Sequence, residues 1–120
     1  MLRHSPGETA AAPAALTHSG IVATDPVDVV VKNNANGTTA ANGVTSTTAT
    51  TTVSGDLIFG ATMDDYDTTR ITAGTGFTQR NSVNNKDLVT QDMVQTSSGP
   101  VASTMTFGSA DRYMAQMVAF

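Results

Sequence analysis

The stretch Arg112–Phe120, which reads "RYMAQMVAF", decides the fold. Successive side chains of a β-strand point to opposite faces. In this stretch one face carries Tyr113, Ala115, Met117 and Ala119, and the other carries Met114, Gln116, Val118 and Phe120. A strand that is apolar on both faces is typical of the inside of a layered structure, with one layer packed on each side. The sequence therefore raises the question of what covers the second face.

The composition limits the class of protein. The chain has 120 residues, which suits one domain, and it contains no cysteine, so it can form neither a disulfide nor a thiolate site. Charged residues make up 13% and the net charge is −4, so no basic surface is available for nucleic acid. The uninterrupted apolar runs are far shorter than the roughly 20 residues of a membrane helix, so we expect no membrane span.

The chain divides into an N-terminal arm and one β-domain. Residues 1–24 contain Pro6, Gly7 and Pro13 in an alanine-rich background, which favours an extended arm. Within it only "LTHSGIVA", residues 16–23, is able to pair as a strand. Residues 25–120 form the predicted domain.

Alternating hydrophobicity predicts the strands of this domain. Val27–Lys32 has one valine-rich face, and Asp56–Met63 is apolar on nearly both faces. The threonine-rich segment Thr45–Val53 is predicted to be one exposed edge strand, because β-branched residues favour extended backbone. The imperfect alternation of "KDLVTQDMVQT" suggests a β-bulge near Gln91.

Two further strand segments complete the pattern. "RITAGTGFTQR" predicts two short strands around a glycine-rich turn, and "VASTMTF" places Val101, Met105 and Phe107 inward. Seven or eight short strands with frequent turn signals, and no segment with helical periodicity, predict an all-β antiparallel sandwich or jelly roll.

The order of the segments resembles a known family. "SGIVATDPVDV", "TTTVSGDLIFGA", "TAGTGFTQR", "DLVTQDMVQTSSGPVASTMTF" and "RYMAQMVAF" are similar, in that order, to the C-terminal half of a jelly-roll β-sandwich of concanavalin-A-like type, found in large secreted bacterial proteins. The resemblance covers Ser19–Phe120 and implies an extracellular or cell-surface location. The first half of the family module is absent, and the arm stands in its place, so the resemblance implies an incomplete sandwich.

An incomplete sandwich predicts self-association. Several exposed large apolar side chains each forfeit about 1.5–3 kcal/mol of burial, which a small domain tolerates poorly. We therefore predict a non-enzymatic structural subunit whose arm adds a strand to the next copy, as in a filament or surface layer; a ring and a swapped dimer stay open. The predicted interface consists of Leu16, Ile21, Val22, Tyr113, Met114, Met117, Val118 and Phe120.

The sequence offers few candidates for chemistry. The two histidines, His4 and His18, both lie in the arm, and neither has a serine and acid partner at a spacing that suggests a catalytic triad. The loop "MDDYD" brings Asp64, Asp65 and Asp67 together, and such oxygen ligands suit Ca²⁺. A solvated loop without a metal is the other interpretation, and no further cofactor is expected.

The sequence suggests two possible relations to sugars, which are glycosylation of the chain and binding of a polysaccharide. Asn36 begins a glycosylation sequon, and Thr47 and Thr48 lie in a threonine run that O-linked sugars could decorate; an undecorated polar strand face is the alternative. The competing functional hypothesis is a lectin-like module that binds polysaccharide, with Tyr66 beside the acidic loop as its aromatic contact.

Overall fold

The computed structural model describes residues 20–21, 23–34, 41–64, 70–84 and 87–120. Within these residues the chain is all β, without a helix, which confirms the predicted fold class. No helix in this part of the chain has the length and apolar character needed to cross a membrane.

The described residues form ten antiparallel strands. In chain order they are β1 Val29–Asn34, β2 Ala41–Thr45, β3 Ala49–Thr51, β4 Leu57–Asp64, β5 Ile71–Ala73, β6 Thr78–Val83, β7 Leu88–Val94, β8 Gly99–Val101, β9 Thr104–Asp111 and β10 Tyr113–Ala119.

Two layers face each other across the core. The first layer, which we name the large sheet, has five strands in the order β1-β10-β4-β7-β6. The second layer consists of the sheet β2-β9-β5 and the strand pair β3-β8. The pair β2-β9 and the pair β3-β8 lie end to end. Ser46 N–H, between β2 and β3, donates to Ser103 C=O, between β8 and β9, at 2.9 Å.

The stretch "RYMAQMVAF" forms a central strand of the large sheet. β10 lies between β1 and β4, so that Val118 is opposite both Val30 and Phe59. Its residues alternate between the buried inner face and a more exposed outer face, as the sequence predicts. The inner face of β10 is buried by the second layer of the same chain.

The second layer corrects the expectation of an incomplete sandwich. Strands β2, β3, β5, β8 and β9 supply the cover that the resemblance implied was missing. Among the described residues, a single chain therefore closes its own apolar interior, and the outer face of the large sheet carries apolar side chains that the second layer does not cover.

The interior contains two apolar clusters. One consists of Val44, Ile71, Val89, Met105, Phe107, Tyr113 and Ala115, and the other of Ala49, Ile58, Val101, Met117 and Ala119. In the first cluster the rings of Phe107 and Tyr113 meet edge to face, with centroids 6.0 Å apart. The prediction that Val101, Met105 and Phe107 point inward is confirmed.

A polar belt separates the two clusters. The Gln91 amide, which has no solvent exposure, donates to Ser103 Oγ and to Thr104 C=O, both at 2.9 Å. Its Oε1 accepts from Gly74 N–H at 3.0 Å. These hydrogen bonds connect the large sheet to the second layer. Because they satisfy its amide, Gln91 is able to point inward at a position where an alternating pattern predicts an apolar residue.

Two of the predicted elements are wrong in detail. The single edge strand Thr45–Val53 is divided into β2 and β3, because Ser46 turns into the interior and its Oγ accepts from Ser103 N–H at 3.0 Å. The predicted bulge near Gln91 lies instead on the neighbouring strand β6, where the register shifts between Gln79 and Asn81.

Candidate functional site

The outer face of the large sheet carries an apolar surface that no described residue covers. We use the name outer face for the side chains Val30, Leu57, Phe59, Ala61, Met63, Leu88, Met114, Val118 and their neighbours on these strands. Val30 is 65% exposed and Met63 is 46% exposed, while Phe59 and Val118 are half-buried. An uncovered apolar area of this kind is uncommon on a soluble monomer and indicates an interaction surface.

Strand register arranges the outer face in rows. Val30, Val118 and Phe59 lie opposite one another on three adjacent strands. A second apolar row contains Met114, Met63 and Leu88. Directly opposite side chains in a sheet are close enough to pack together, so each row is a continuous apolar ridge.

Between the two ridges lies a row of smaller or polar side chains, which leaves the surface lower there. This row contains Gln116, Ala61 and Thr90. Because Ala61 is small, a groove lies on each side of it: one of about 260 Å³ against Phe59 and Val118, and one of about 130 Å³ against Met63 and Met114. Ridges beside grooves favour packing against another pleated surface.

An ion pair neutralises the carboxylate beside Phe59. Asp92 lies opposite Phe59 on β7, and its side chain is only 3% exposed. Arg80 Nε approaches both Asp92 oxygens, at 2.8 and 2.9 Å, and Arg80 Nη2 lies 2.8 Å from Oδ1. The bidentate contact therefore removes the cost of burying an uncompensated charge at this side of the outer face.

Both edges of the large sheet are protected against strand addition. At the β1 edge, Thr47 Oγ donates to Lys32 C=O at 2.7 Å, and Asp28 accepts from the N–H and hydroxyl of Thr52 at 2.6 and 2.7 Å. At the other edge, β6 has an irregular register and carries Arg80. Covered, bulged and charged edges resist pairing with another strand, so the face offers the larger free contact surface.

The structure separates the predicted interface residues. Met114, Val118 and Phe120 lie on the outer face, whereas Tyr113 and Met117 are buried inside and packed by the same chain. Intramolecular packing therefore removes these two side chains from any interface. The sequence shows that Asp56–Met63 is apolar on nearly both faces, but the predicted interface does not include Phe59, Ala61 or Val30.

The arm is described only at its end. Ile21 is half-buried and lines a cleft of about 300 Å³ with Val53, Leu57, Val94 and Phe120. Leu16 and Val22 lie outside the described residues, as do His4 and His18. The role of the arm as a donor strand stays a prediction.

The predicted calcium and sugar residues are mostly outside the described part. Asp64 ends β4 and is half-buried, while Asp65, Tyr66, Asp67 and Asn36 are not among the described residues. Within the described ranges, no three His, Asp or Glu side chains form a group able to hold a metal ion. Thr47 and Thr48 are exposed between β2 and β3, although the Thr47 hydroxyl already donates to β1.

A pair of carboxyl groups was not anticipated. Asp56 is 2% exposed, and its carboxyl group lies next to that of Asp28, 28 positions earlier in the chain. Burial raises the pKa of Asp56, and the contact with the Asp28 carboxylate raises it further. The Thr52 N–H, followed by its hydroxyl, lowers the pKa of Asp28. No local motif joins residues so far apart, so only the folded structure brings them together.

No protein-family model, curated protein or solved structure matches the chain. The resemblance to concanavalin-A-like modules is therefore still a hypothesis based on the order of the sequence segments.

Proposed function

We propose that this chain is a non-enzymatic structural subunit whose copies associate through the outer face. The observation that supports the proposal is the double apolar ridge of Val30, Val118 and Phe59 beside Met114, Met63 and Leu88. The grooves next to Ala61 offer room for side chains of a second copy. An extracellular or cell-surface location agrees with the cysteine-free, threonine-rich composition.

The area of the outer face suits a weak contact between copies. The four strands that carry it, spaced by about 4.8 Å and with about seven residues rising about 3.3 Å each, present roughly 440 Å² per copy. Two copies would bury about 900 Å², which is in the range of weak interfaces and just below the roughly 1,000 Å² of specific ones. Two such sheets pack with their strands about 30° apart.

Symmetry determines how far this contact extends. An outer face that meets another outer face is an isologous contact, and it closes at two copies. A filament or surface layer requires a second contact, and we assign that role to residues 1–24 as a donor strand for an edge of the second layer. This division of roles replaces strand addition as the sole means of assembly, because both edges of the large sheet are protected.

Substitution of Val30 by lysine tests the outer-face contact. Val30 is 65% exposed, so Val30→Lys should leave the monomer folded while it places a charge in the apolar ridge. Loss of an apolar contact of about 2 kcal/mol should raise the dissociation constant about 30-fold, measured by sedimentation velocity. Thr106→Lys is the matched control, because Thr106 is an exposed strand residue on β9 of the second layer, on the opposite side of the molecule from the outer face.

The results separate the two contacts. Deletion of residues 1–23 should stop assembly at dimers, which Val30→Lys then converts to monomers. Wild-type protein that is monomeric at high micromolar concentration would contradict self-association. Equal dissociation constants for wild type and Val30→Lys would instead remove the outer face from the proposal.

A further inference from the structure

A third apolar row extends the outer face at one end of the large sheet. Leu57 and Phe120 exchange backbone hydrogen bonds at 3.0 and 3.1 Å, and Leu57 lies opposite Val94 on β7. We name Phe120, Leu57 and Val94 the end row. Val94 is 63% exposed, and all three residues line the cleft of about 300 Å³. The end row therefore adds apolar surface, with an open depression beside it, to the two ridges.

Strand β4 crosses every row of the outer face. From the end row onward its outward side chains are Leu57, Phe59, Ala61 and Met63, each two residues from the next. The cleft lies beside Leu57, and the groove of about 260 Å³ lies beside Ala61. Phe59 and Met63 are the large side chains next to these depressions, and Met63 is 46% exposed. Depression and protrusion therefore alternate along β4.

This alternation is complementary to its own reverse. When a second copy lies on the outer face with its strands reversed, a two-fold axis between Phe59 and Ala61 places Phe59 of each copy against Ala61 of the other. The same axis places Met63 of each copy against Leu57 of the other, beside the cleft. Both contacts occur twice, as an isologous interface requires. Each protrusion therefore meets a depression, and all four rows are covered.

Other positions of the axis fit the outer face less well. An axis through Ala61 places Phe59 against Met63 of the other copy, so two protrusions meet, and it leaves the end row uncovered. An axis through Phe59 places the two phenyl rings on each other and leaves Met63 uncovered. An axis parallel to the strands again brings like rows together. Only the axis between Phe59 and Ala61 covers both Val94 and Met63 without opposing two protrusions.

The charged side chains of the outer face are compatible with this arrangement. Asp92 is paired with Arg80 of the same chain at 2.8 Å, so the pair brings no net charge. Lys32 lies in the row of Ala61 but on the edge strand β1, where its exposed side chain reaches the rim of the contact. Its position faces Val30 of the other copy, so these charges do not oppose each other.

We propose that two copies pair with reversed strands about a two-fold axis between Phe59 and Ala61. Phe59 of each copy enters the groove beside Ala61 of the other, and Met63 enters the cleft beside Leu57. Phe59 and Ala61 are then the residues that determine which copies pair. This inference rests on the proposed association through the outer face and adds its orientation and register.

Exchange of the large and small side chains tests the central contact. Ala61→Phe fills both grooves of a dimer and Phe59→Ala leaves both grooves empty, so each variant alone should have a dissociation constant about tenfold above wild type. An equimolar mixture of the two variants again packs phenylalanine on alanine at both sites. Sedimentation velocity should therefore show a dissociation constant of the mixed dimer close to that of wild type. A mixture that associates as weakly as the separate variants would overturn the inference.

Cross-linking tests the register independently of affinity. The chain has no cysteine, so Met63→Cys and Leu57→Cys each carry one thiol. In the proposed register Met63 of one copy faces Leu57 of the other, whereas the two Met63 positions lie about 20 Å apart along the strands. A short bifunctional thiol reagent should therefore give dimers only when the two variants are mixed.

The outcomes separate the register from the association itself. Cross-linked dimers of Met63→Cys alone, or equal yields with and without the second variant, would overturn the register while the outer face stays a contact. Absence of a cross-link in a mixture that sediments as a dimer would overturn it as well. Wild-type protein that never dimerises would contradict the proposed function and the register with it.

Discussion

At the scale of single residues, Gly60 shows how closely the two layers approach. Gly60 is buried on the inner face of β4, beneath Ser103 of the second layer. A methyl group at this position would overlap Ser103 Oγ and would lie only 2.7 Å from Ser103 Cβ. Ser103 is fixed by its hydrogen bonds to Gln91 and Ser46, so it has little freedom to move away.

Gly60→Ala should therefore destabilise the fold by about 1–3 kcal/mol, the usual range for an overpacked interior. The measurement is chemical denaturation of the purified variant. Gly43→Ala is the matched control, because Gly43 is also a strand glycine but has no atom within 4 Å of the added methyl group. Equal stability of the two variants would show that the layers separate more easily than the structure indicates.

At the scale of elements, hydrophobic alternation predicted the buried faces of β1 and β9. It succeeded there because their inward positions are mainly apolar, so period and burial agree. It did not predict which face of β4 is buried, because the more apolar row of this strand, which includes Phe59 and Met63, points outward. It failed around Ser46 and Gln91, where polar side chains point inward and are satisfied by partners on other strands. A sequence pattern shows the period of a strand but not the hydrogen-bond partner across the core.

The ion pair of Arg80 and Asp92 is expected to stabilise the attachment of β6 to β7. β6 has an irregular register, and Arg80 joins this irregular edge strand to the buried carboxylate on β7. Arg80→Met should lower the melting temperature, because Asp92 is then left enclosed without its bidentate partner. Arg80→Lys keeps the charge but loses the fork, so its melting temperature should lie between those of wild type and Arg80→Met. A wild-type melting temperature in Arg80→Met would show that other contacts suffice for Asp92.

At the scale of the whole molecule, the sequence showed that two strands have apolar faces on both sides, but not which side the chain covers itself. The resemblance led us to expect that the inner cover was missing. The structure instead supplies that cover from β2, β3, β5, β8 and β9. The candidate contact surface is consequently the opposite face, and half of the predicted β10 interface lies in the core.

Stability should depend on protein concentration if the outer face is a contact between copies. Association removes folded monomer from the unfolding equilibrium, so the melting temperature should rise as the concentration increases. Differential scanning calorimetry over a wide concentration range measures this dependence. The melting temperature of Val30→Lys should be constant over the same range, and a constant value for wild type would contradict a stable contact.

The position of β10 also determines when the molecule is able to fold. β10 separates β1 from β4, so among the described strands β1 has no neighbour in its sheet until β10 has been synthesised. Pairing between distant parts of a chain is slow, because a long loop must close before any contact forms. During translation β1 therefore stays unpaired for most of the synthesis, and a ribosome that stops before β10 releases a chain whose large sheet is split in two.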